Sequence, residues 1–232
     1  MPDFKVRSYQ KELLDNNNIP FPDIRENMKE LNTINTLLGG HNISIKGFKK
    51  LLQSKKEISI CEIGCGGGDN LHAIYRYCKT HSIKVAITGI DINPECIQFT
   101  QSVKKEYAPT LICSDYKKAF FEKKPDIIFS SLFCHHFNND DLLEMINWMK
   151  ENSNIGFFIN DLHRHPIAYY FIKLLTRIFS RSYLVKNDAP LSVLRGFVKK
   201  EWQSILTKTN IQYYSINWCW AFRYLIVSKN GE

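Results

Sequence analysis

Apolar positions change their period along the chain, and the changes mark the elements. Up to about residue 56 they recur at helical spacing in a polar, Asn- and Lys-rich background. Leu13 and Leu14 place a first amphipathic helix at 6–18. Ile24, Met28, Leu31, Ile34, Leu37 and Leu38 place a second at 23–38, stopped by Gly39-Gly40. Ile45, Phe48, Leu51 and Leu52 place a short third at about 44–54. From residue 57, short apolar runs alternate with amphipathic stretches. Strands are predicted at 57–63 (EISICEI), 85–90 (VAITGI), 111–113, 126–131 (DIIFSS) and 155–161 (IGFFIND). Helices are predicted at 68–80, 94–105, 140–151, 166–182 and 198–209, and a hairpin-like pair of strands at 212–218 and 222–228 closes the chain. Near-continuous apolar strands alternating with helices indicate an α/β fold. The expected architecture is a doubly wound, mostly parallel seven-stranded sheet with one antiparallel strand. The composition shift near residue 57 divides the chain into an N-terminal helical cap (1–56) and a sheet domain (57–232).

Composition narrows the class without naming it. Of 232 residues, 44% are apolar and 23% charged, which excludes a disordered or fibrous chain. Lys and Arg number 31 against 23 Asp and Glu, a formal net charge of +8. That excess invites a nucleic-acid or membrane reading. It is made of lysine, however, 23 against eight arginines, dispersed in pairs such as Lys49-Lys50, Lys104-Lys105 and Lys199-Lys200. Arginine is the better residue for bidentate phosphate and base recognition, so the charge reads as a solvated surface and no nucleic-acid partner is expected. The N-terminus has no apolar signal core, and the longest apolar runs, about eight residues, are too short to span a bilayer. The seven cysteines are odd in number and show no CxxC. Reduced, buried thiols and a cytoplasmic location fit best. Cys61 and Cys65 with His135 and His136 can be drawn as a zinc site, but the spacing matches no standard pattern, and no metal is expected.

One segment carries chemistry. Glu62-Ile63-Gly64-Cys65-Gly66-Gly67-Gly68-Asp69-Asn70 follows the first strand and opens a helix, the setting of a nucleotide-binding loop. A dinucleotide fingerprint wants glycine at 69, where Asp stands, and an acid there competes with a pyrophosphate for the helix N-terminus. No Gly-Lys-Ser/Thr follows, which excludes a P-loop. Acids at the strand end and helix start suit a ligand that carries positive charge. Downstream, Asp91 in GIDINP closes the second strand, Ser114-Asp115-Tyr116 follows the third, and PDIIFSSLFCHHF (125–137) contains the fourth.

This ordered set, over about residues 57–228, resembles the class I S-adenosylmethionine-dependent methyltransferases. The resemblance implies a Rossmann-like methyltransferase domain at 57–232 and S-adenosylmethionine as cofactor. It implies that Glu62, Gly64, Cys65 and Gly66 cradle the amino-acid part of the cofactor and that Asp91 holds the ribose hydroxyls. Ser114, Asp115 and Tyr116 would contact adenine, with Asp115 near the exocyclic amine, and Ile92 and Ser131 complete the cofactor-binding set. ELLDN near the N-terminus, INTLLGG (34–40), CHHF (134–137), DLHRHPIAYY (161–170) and DAPLSVLRGF (188–197) further resemble small-molecule methyltransferases encoded beside aromatic polyketide or pigment pathways. That branch implies methylation of a small hydroxylated, aromatic acceptor.

In open α/β sheets ligands bind outside the carboxyl ends of the strands. His135-His136 follows the fourth strand, and His163 and His165 follow the fifth. A neutral imidazole is a natural base for a hydroxyl proton near neutral pH, so His136 and His163 are the candidate catalytic residues. Each also has a structural reading, and His165, before Pro166, reads as a helix cap. The helix at 166–182 is apolar on nearly every side, leaving a stripe of Lys173, Arg177, Ser180 and Arg181. As part of an insertion at about 163–197 it reads as a lid over a substrate pocket, a homodimer contact or a membrane-surface helix. Arg195 would pair with Asp161 or Asp188 or reach a substrate oxygen. Tyr9 and Arg25 are candidates near the cofactor's amino-acid end. The alternative functions are an RNA or protein methyltransferase, motivated by the +8 charge, and a scaffold that binds cofactor without turnover. Against base amino-methylation, the fourth strand ends in SSLFCHHF rather than Asn-Pro-Pro-aromatic.

Overall fold

The computed structural model describes residues 2–16, 18–103, 106–209 and 211–231. Seven strands form one sheet: β1 (Glu57–Ile63), β2 (Lys84–Asp91), β3 (Thr110–Cys113), β4 (Ile127–Ser131), β5 (Gly156–Leu162), β6 (Tyr214–Cys219) and β7 (Arg223–Lys229). Their order is β3-β2-β1-β4-β5-β7-β6. Pairing is parallel through β5, and β7 runs antiparallel between β5 and β6. The doubly wound, mostly parallel sheet and its one antiparallel strand are as the sequence predicts. Strand order reverses between β1 and β4, which opens a crevice beyond their carboxyl ends.

Eight helices flank the sheet among the described residues: α1 (Phe21–Leu37), α2 (Gly40–Leu52), α3 (Asp69–Thr80), α4 (Pro94–Ser102), α5 (Asn139–Asn152), α6 (Pro166–Phe179), α7 (Tyr183–Arg195) and α8 (Lys199–Lys208). Alternate residues of each strand face opposite layers. Cys61, Ile63, Ile128, Phe157 and Ile159 pack with Met145 and Ile146 of α5 and Trp202 and Leu206 of α8. Ile58, Ile60, Ile127, Phe129 and Phe158 pack with Phe48 and Leu51 of α2 and Leu71 and Ile74 of α3. Cover on both faces is why the strands read as unbroken apolar runs. α2 lies close on β5 because residue 47 is glycine; a Cβ there would stand 2.6 Å from the Phe158 ring. One core therefore runs across the boundary drawn from composition at residue 56.

Two stretches differ from the sequence expectation. Residues 6–18 form no long helix, only a 3-10 turn at Leu13–Asp15 behind an irregular strap. The amides of Leu13 and Leu14 donate to the Asp188 carboxylate (2.8 and 3.0 Å). Arg7 is buried, donates to the carbonyls of Phe137 (2.9 Å) and Arg195 (3.0 Å), and lies 4.1 Å over the Phe197 ring. A helix this short is marginal by itself, and such long-range bonds override it. Asn17 of that stretch lies outside the described residues. The second difference is α7, whose interior Pro190 and Asp188 hide a helical signal; α6 ends at Phe179 before it. α4 ends at Ser102, and Lys104 and Lys105, expected to close it, lie outside the described residues. Lysines elsewhere on the surface pair with acids, as in Lys79–Glu106 (2.6 Å), Lys84–Glu57 (2.9 Å) and Lys117–Glu144 (2.6 Å).

Candidate functional site

The loop between β1 and α3 is built around a left-handed glycine. Gly64 has φ +66°, and a Cβ there would fall 2.2 Å from the Phe133 ring. Both backbone and neighbour therefore exclude a side chain. Gly64→Ala is expected to lower stability by roughly 2–3 kcal/mol, from left-handed strain plus overpacking. Chemical denaturation should show a lower midpoint with an unchanged slope. The loop is then tied to β2. The Cys65 amide donates to the Ile90 carbonyl (3.0 Å), the Gly66 amide to Asp91 Oδ2 (2.8 Å), and Thr100 Oγ1 to the Gly66 carbonyl (2.8 Å). Burial pushes the Cys65 thiol well up, so it stays protonated and unreactive.

A cavity of about 780 Å³ opens over the carboxyl ends of β1, β2 and β4, a volume typical of sites that enclose a small ligand. Its wall holds Glu62, Gly64, Cys65, Gly66, Asp91, Ile92, Ser114, Asp115, Tyr116, Ser131 and His136. Glu62 is the penultimate residue of β1 and is only 1% exposed. Asp91 ends β2, and its second oxygen accepts from the Asn93 amide (2.9 Å). Burial raises the Asp91 carboxyl against the pull of its two amides. Asp115 caps the turn Tyr116–Lys118 through the Lys117 amide (3.0 Å). The Tyr116 ring is buried edge-on to Trp148 (5.2 Å). Ile92 is 70% exposed, a large apolar side chain left open on the cavity wall. Asp69 is partly committed to the protein. His41 Nε2 lies 2.7 Å from it, and Asn35 donates to the same oxygen (3.1 Å). Burial alone would raise the Asp69 carboxyl; these partners outweigh it and hold it below its usual value.

His135 and His136 form a turn after β4 that meets the N-terminal strap. His135 is buried, with Nδ1 2.8 Å from Asp161 Oδ1 and Nε2 3.5 Å from Glu12 Oε1. Burial would lower its pKa, but the two carboxylates lift it to about 9. His136 lines the cavity, with Nδ1 3.0 Å from Asp15 Oδ1 and Nε2 3.8 Å from Glu12 Oε2. In the tautomer that donates Nδ1–H to Asp15, Nε2 is the acceptor of the ring. Arg195 corrects the sequence expectation. It pairs with Asp15 (3.1 Å) and Glu12 (3.8 Å), not with Asp161 or Asp188. Those two acids accept backbone amides instead: Cys134 (2.7 Å) and Phe133 (3.1 Å) on Asp161, Leu13 and Leu14 on Asp188. Glu12, His135 and His136 place ligand atoms within 4.8 Å of one another. Arg195 Nη1 stands 3.8 Å from the Glu12 carboxylate of this cluster. Cys61 and Cys65 pack on opposite faces of the sheet.

His163 is outside the cavity wall. Its Nδ1 accepts from Trp218 Nε1 (3.3 Å), its ring meets Tyr224 (4.9 Å), and burial lowers its pKa to about 4. His165 caps α6, its Nδ1 accepting the Ile167 amide (3.2 Å). Tyr9 and Arg25 are exposed and also outside the wall. Polar wall residues that sequence reasoning did not single out include Asp15, Asn35 and Arg223. Arg223 is 3% exposed in the cavity wall, donates to Asn35 Oδ1 (2.7 Å), and is lowered by burial to about 10. It opens an apolar strand, and nothing in RYLIVS marks it as a wall residue.

Residues 60–156 match a family model described as "Methyltransferase domain". The malonyl-[acyl-carrier protein] O-methyltransferase of Priestia megaterium (strain DSM 319 / IMG 1521) is 33% identical over 84 residues, 36% of this chain and 29% of that protein. The chain thus matches less than a third of that curated relative's length. Among solved structures, the plantazolicin methyltransferase BpumL in complex with a monoazolic desmethylPZN analog and SAH superposes with a TM-score of 0.65 at 19% identity, covering 90% of each chain. Human N-acetylserotonin methyltransferase in complex with SAM gives 0.64 at 15% identity, over 92% of this chain and 57% of that one. At these identities the structures speak for the fold. The matched segment runs from β1 to the start of β5, through the loops that follow β1, β2, β3 and β4, so residues 60–156 are similar to a methyltransferase domain and the chain has the Rossmann-like methyltransferase fold.

Proposed function

We propose that the chain transfers a methyl group from S-adenosylmethionine to a hydroxyl of a small aromatic or polyketide-like acceptor. The observation that carries this reading is one cavity whose polar part is made by the loops after β1 to β4 and whose apolar part is made by Leu31 and Ile34 of α1, Ala168 and Ile172 of α6 and Val193 of α7, with His136 in its wall. The donor set fits the cofactor. Glu62 and the Gly64–Gly66 loop offer a buried carboxylate to a cationic amino-acid end. Asp91 keeps lone pairs beyond its two amides for ribose hydroxyls. Ser114, Asp115, Tyr116 and the open face of Ile92 take the adenine end, and Ser131 stands at the end of β4. When bound, S-adenosylmethionine supplies an electrophilic methyl on a sulfonium. His136 accepts the acceptor's proton at Nε2, and Asp15 holds the tautomer and balances the imidazolium. The strap (residues 2–16), α1, α6 and α7 close over the apolar part and exclude water. The seven free cysteines, six of them buried, suit a reducing cytoplasm.

Calorimetric titration with S-adenosylhomocysteine, followed by methyl transfer to a panel of phenols, tests the reading. Micromolar binding and transfer to a phenol are expected. His136→Ala should lower kcat about a hundredfold with the S-adenosylhomocysteine Kd unchanged; full turnover would remove His136 from the chemistry. Transfer to RNA or protein instead, with affinity falling steeply in salt, would replace the small-molecule acceptor.

A further inference from the structure

α6 exposes what a helix in water ordinarily hides. Ile167, Tyr170, Leu174 and Ile178 recur at i, i+3 and i+4 spacing and are 61%, 53%, 60% and 61% exposed, with Phe171 and Phe179 beside them. Ala168, Ile172 and Thr176, on the other side, are buried. The helix thus has two apolar faces, one packed with α1 and α7 and one in solvent. At 100° per residue Ile167, Tyr170, Phe171, Leu174 and Ile178 span an arc of about 100°, the width of a stripe that normally meets a core.

The charge around this face has one sign. From Leu162 to Asn187 the chain has no Asp or Glu, while Lys173, Arg177, Arg181 and Lys186 are exposed. Of the carboxylates that reach the segment, Glu201 pairs with the buried Arg164, Asp188 accepts from Asn187, and the two from α1 are engaged as well. Glu30 accepts from the Ser180 hydroxyl and the amides of Arg181 and Ser182, and Asp23 accepts from the Tyr183 hydroxyl. At its N-terminal end the stripe runs into exposed tryptophans. His165 stacks on Phe222 (4.9 Å), Phe222 meets Trp218 (6.0 Å), and Trp218 and Trp220 are 51% and 69% exposed. A second copy is a poor occupant, because a two-fold contact would set these cations against their own twins. An anionic bilayer supplies both halves of the match: acyl chains for the stripe and phosphates for its basic flank. Tryptophan is the residue enriched at that boundary.

We propose that α6, with Trp218 and Trp220 beside its N-terminus, docks on the surface of an anionic bilayer. Its stripe lies at the headgroup–acyl boundary, and Lys173, Arg177 and Arg181 sit at the phosphates. No helix among the described residues is long and apolar enough to cross a membrane, so the contact is peripheral. Phe171 belongs both to the exposed face and to the cavity wall. Docking therefore sets the apolar part of the cavity against lipid. It requires neither cofactor nor turnover.

Flotation of the full chain with phosphatidylcholine–phosphatidylglycerol vesicles, and with pure phosphatidylcholine vesicles, tests the proposal. The chain should partition onto the anionic vesicles and less so at high salt. L174E/I178E should lower that partition at least about tenfold, and K173E/R177E should remove its salt dependence. Both variants alter exposed residues away from the cavity wall, and an unchanged unfolding midpoint and S-adenosylhomocysteine Kd would show them folded. Absence of vesicle binding, or binding that survives L174E/I178E, would overturn the proposal. So would a dimer in light scattering that L174E/I178E turns into monomer without any vesicle binding. Vesicle binding by a chain that takes no S-adenosylhomocysteine would leave docking standing and the methyl-transfer reading fallen.

Discussion

Replacing Asp91 by alanine is expected to weaken S-adenosylhomocysteine binding about a thousandfold while the sheet stays folded. Two ribose hydroxyls donating to a carboxylate contribute roughly 1.5–3 kcal/mol each, so about 4 kcal/mol is lost with the side chain, three orders of magnitude in Kd. A further loss comes from the loop. Asp91 is the acceptor that holds the Gly66 amide at 2.8 Å and the Asn93 amide at 2.9 Å, so alanine frees the turn as well as removing the proposed ribose contact. Titration calorimetry reads the Kd, and circular dichroism separates lost binding from lost fold. Burial raises the Asp91 carboxyl. Wild-type binding should therefore weaken, as pH falls, before an ordinary exposed carboxylate would protonate, and D91A should lack that step. A Kd unmoved by D91A would place the ribose elsewhere.

The fold was legible because its strands are covered on both faces, so Ile127–Phe129 and Phe157–Ile159 announce themselves as runs. The place of the loop was legible because Gly64 and Asp91 occur at strand ends, beyond which the cavity opens. The histidines show where this stops. The end of β5 is the correct end of the sheet, but neighbouring strand residues point to opposite faces. Leu162 faces the cavity, and His163 falls outside it against Tyr224. The partners of Arg195 were out of reach for another reason. Asp15 lies 180 residues away in sequence, in a strap whose local pattern reads as a helix. Such a strap is shaped by the buried charges it must meet, Arg7, Asp188 and Arg195, and their burial belongs to the tertiary structure. Arg223 is hidden in the same way: a lone cation before an apolar strand looks solvated until α1 brings Asn35 to it.

Those buried charges support the second large effect. Asp161→Asn should destabilise the fold by about 3–5 kcal/mol, the usual result of breaking a buried ion pair from one side, and lower Tm by about 10 °C for a chain of this size. Asp161 is fully buried and serves four donors: the amides of Phe133, Cys134 and Leu162, and His135 Nδ1. Asparagine would turn an N–H toward some of them and leave a charged imidazole facing Glu12 alone. The pH dependence separates this loss from simple misfit. His135 is raised to about 9 in the fold, against about 6.5 for an unfolded histidine. Its contribution is therefore complete below about pH 6.5 and disappears as pH climbs through about 9. Asp161 and Glu12 are lowered in the fold, each by His135 against its own burial, so their contribution disappears only in acid. Wild type should lose stability on the order of 3 kcal/mol between about pH 7 and pH 10. D161N should begin lower and fall less over that range, because its His135 is no longer held protonated by Asp161, and the two curves should converge in base. Denaturant titrations at a series of pH values measure this; curves that stay parallel would mean that His135 is neutral and that Asp161 serves only the backbone amides of the turn.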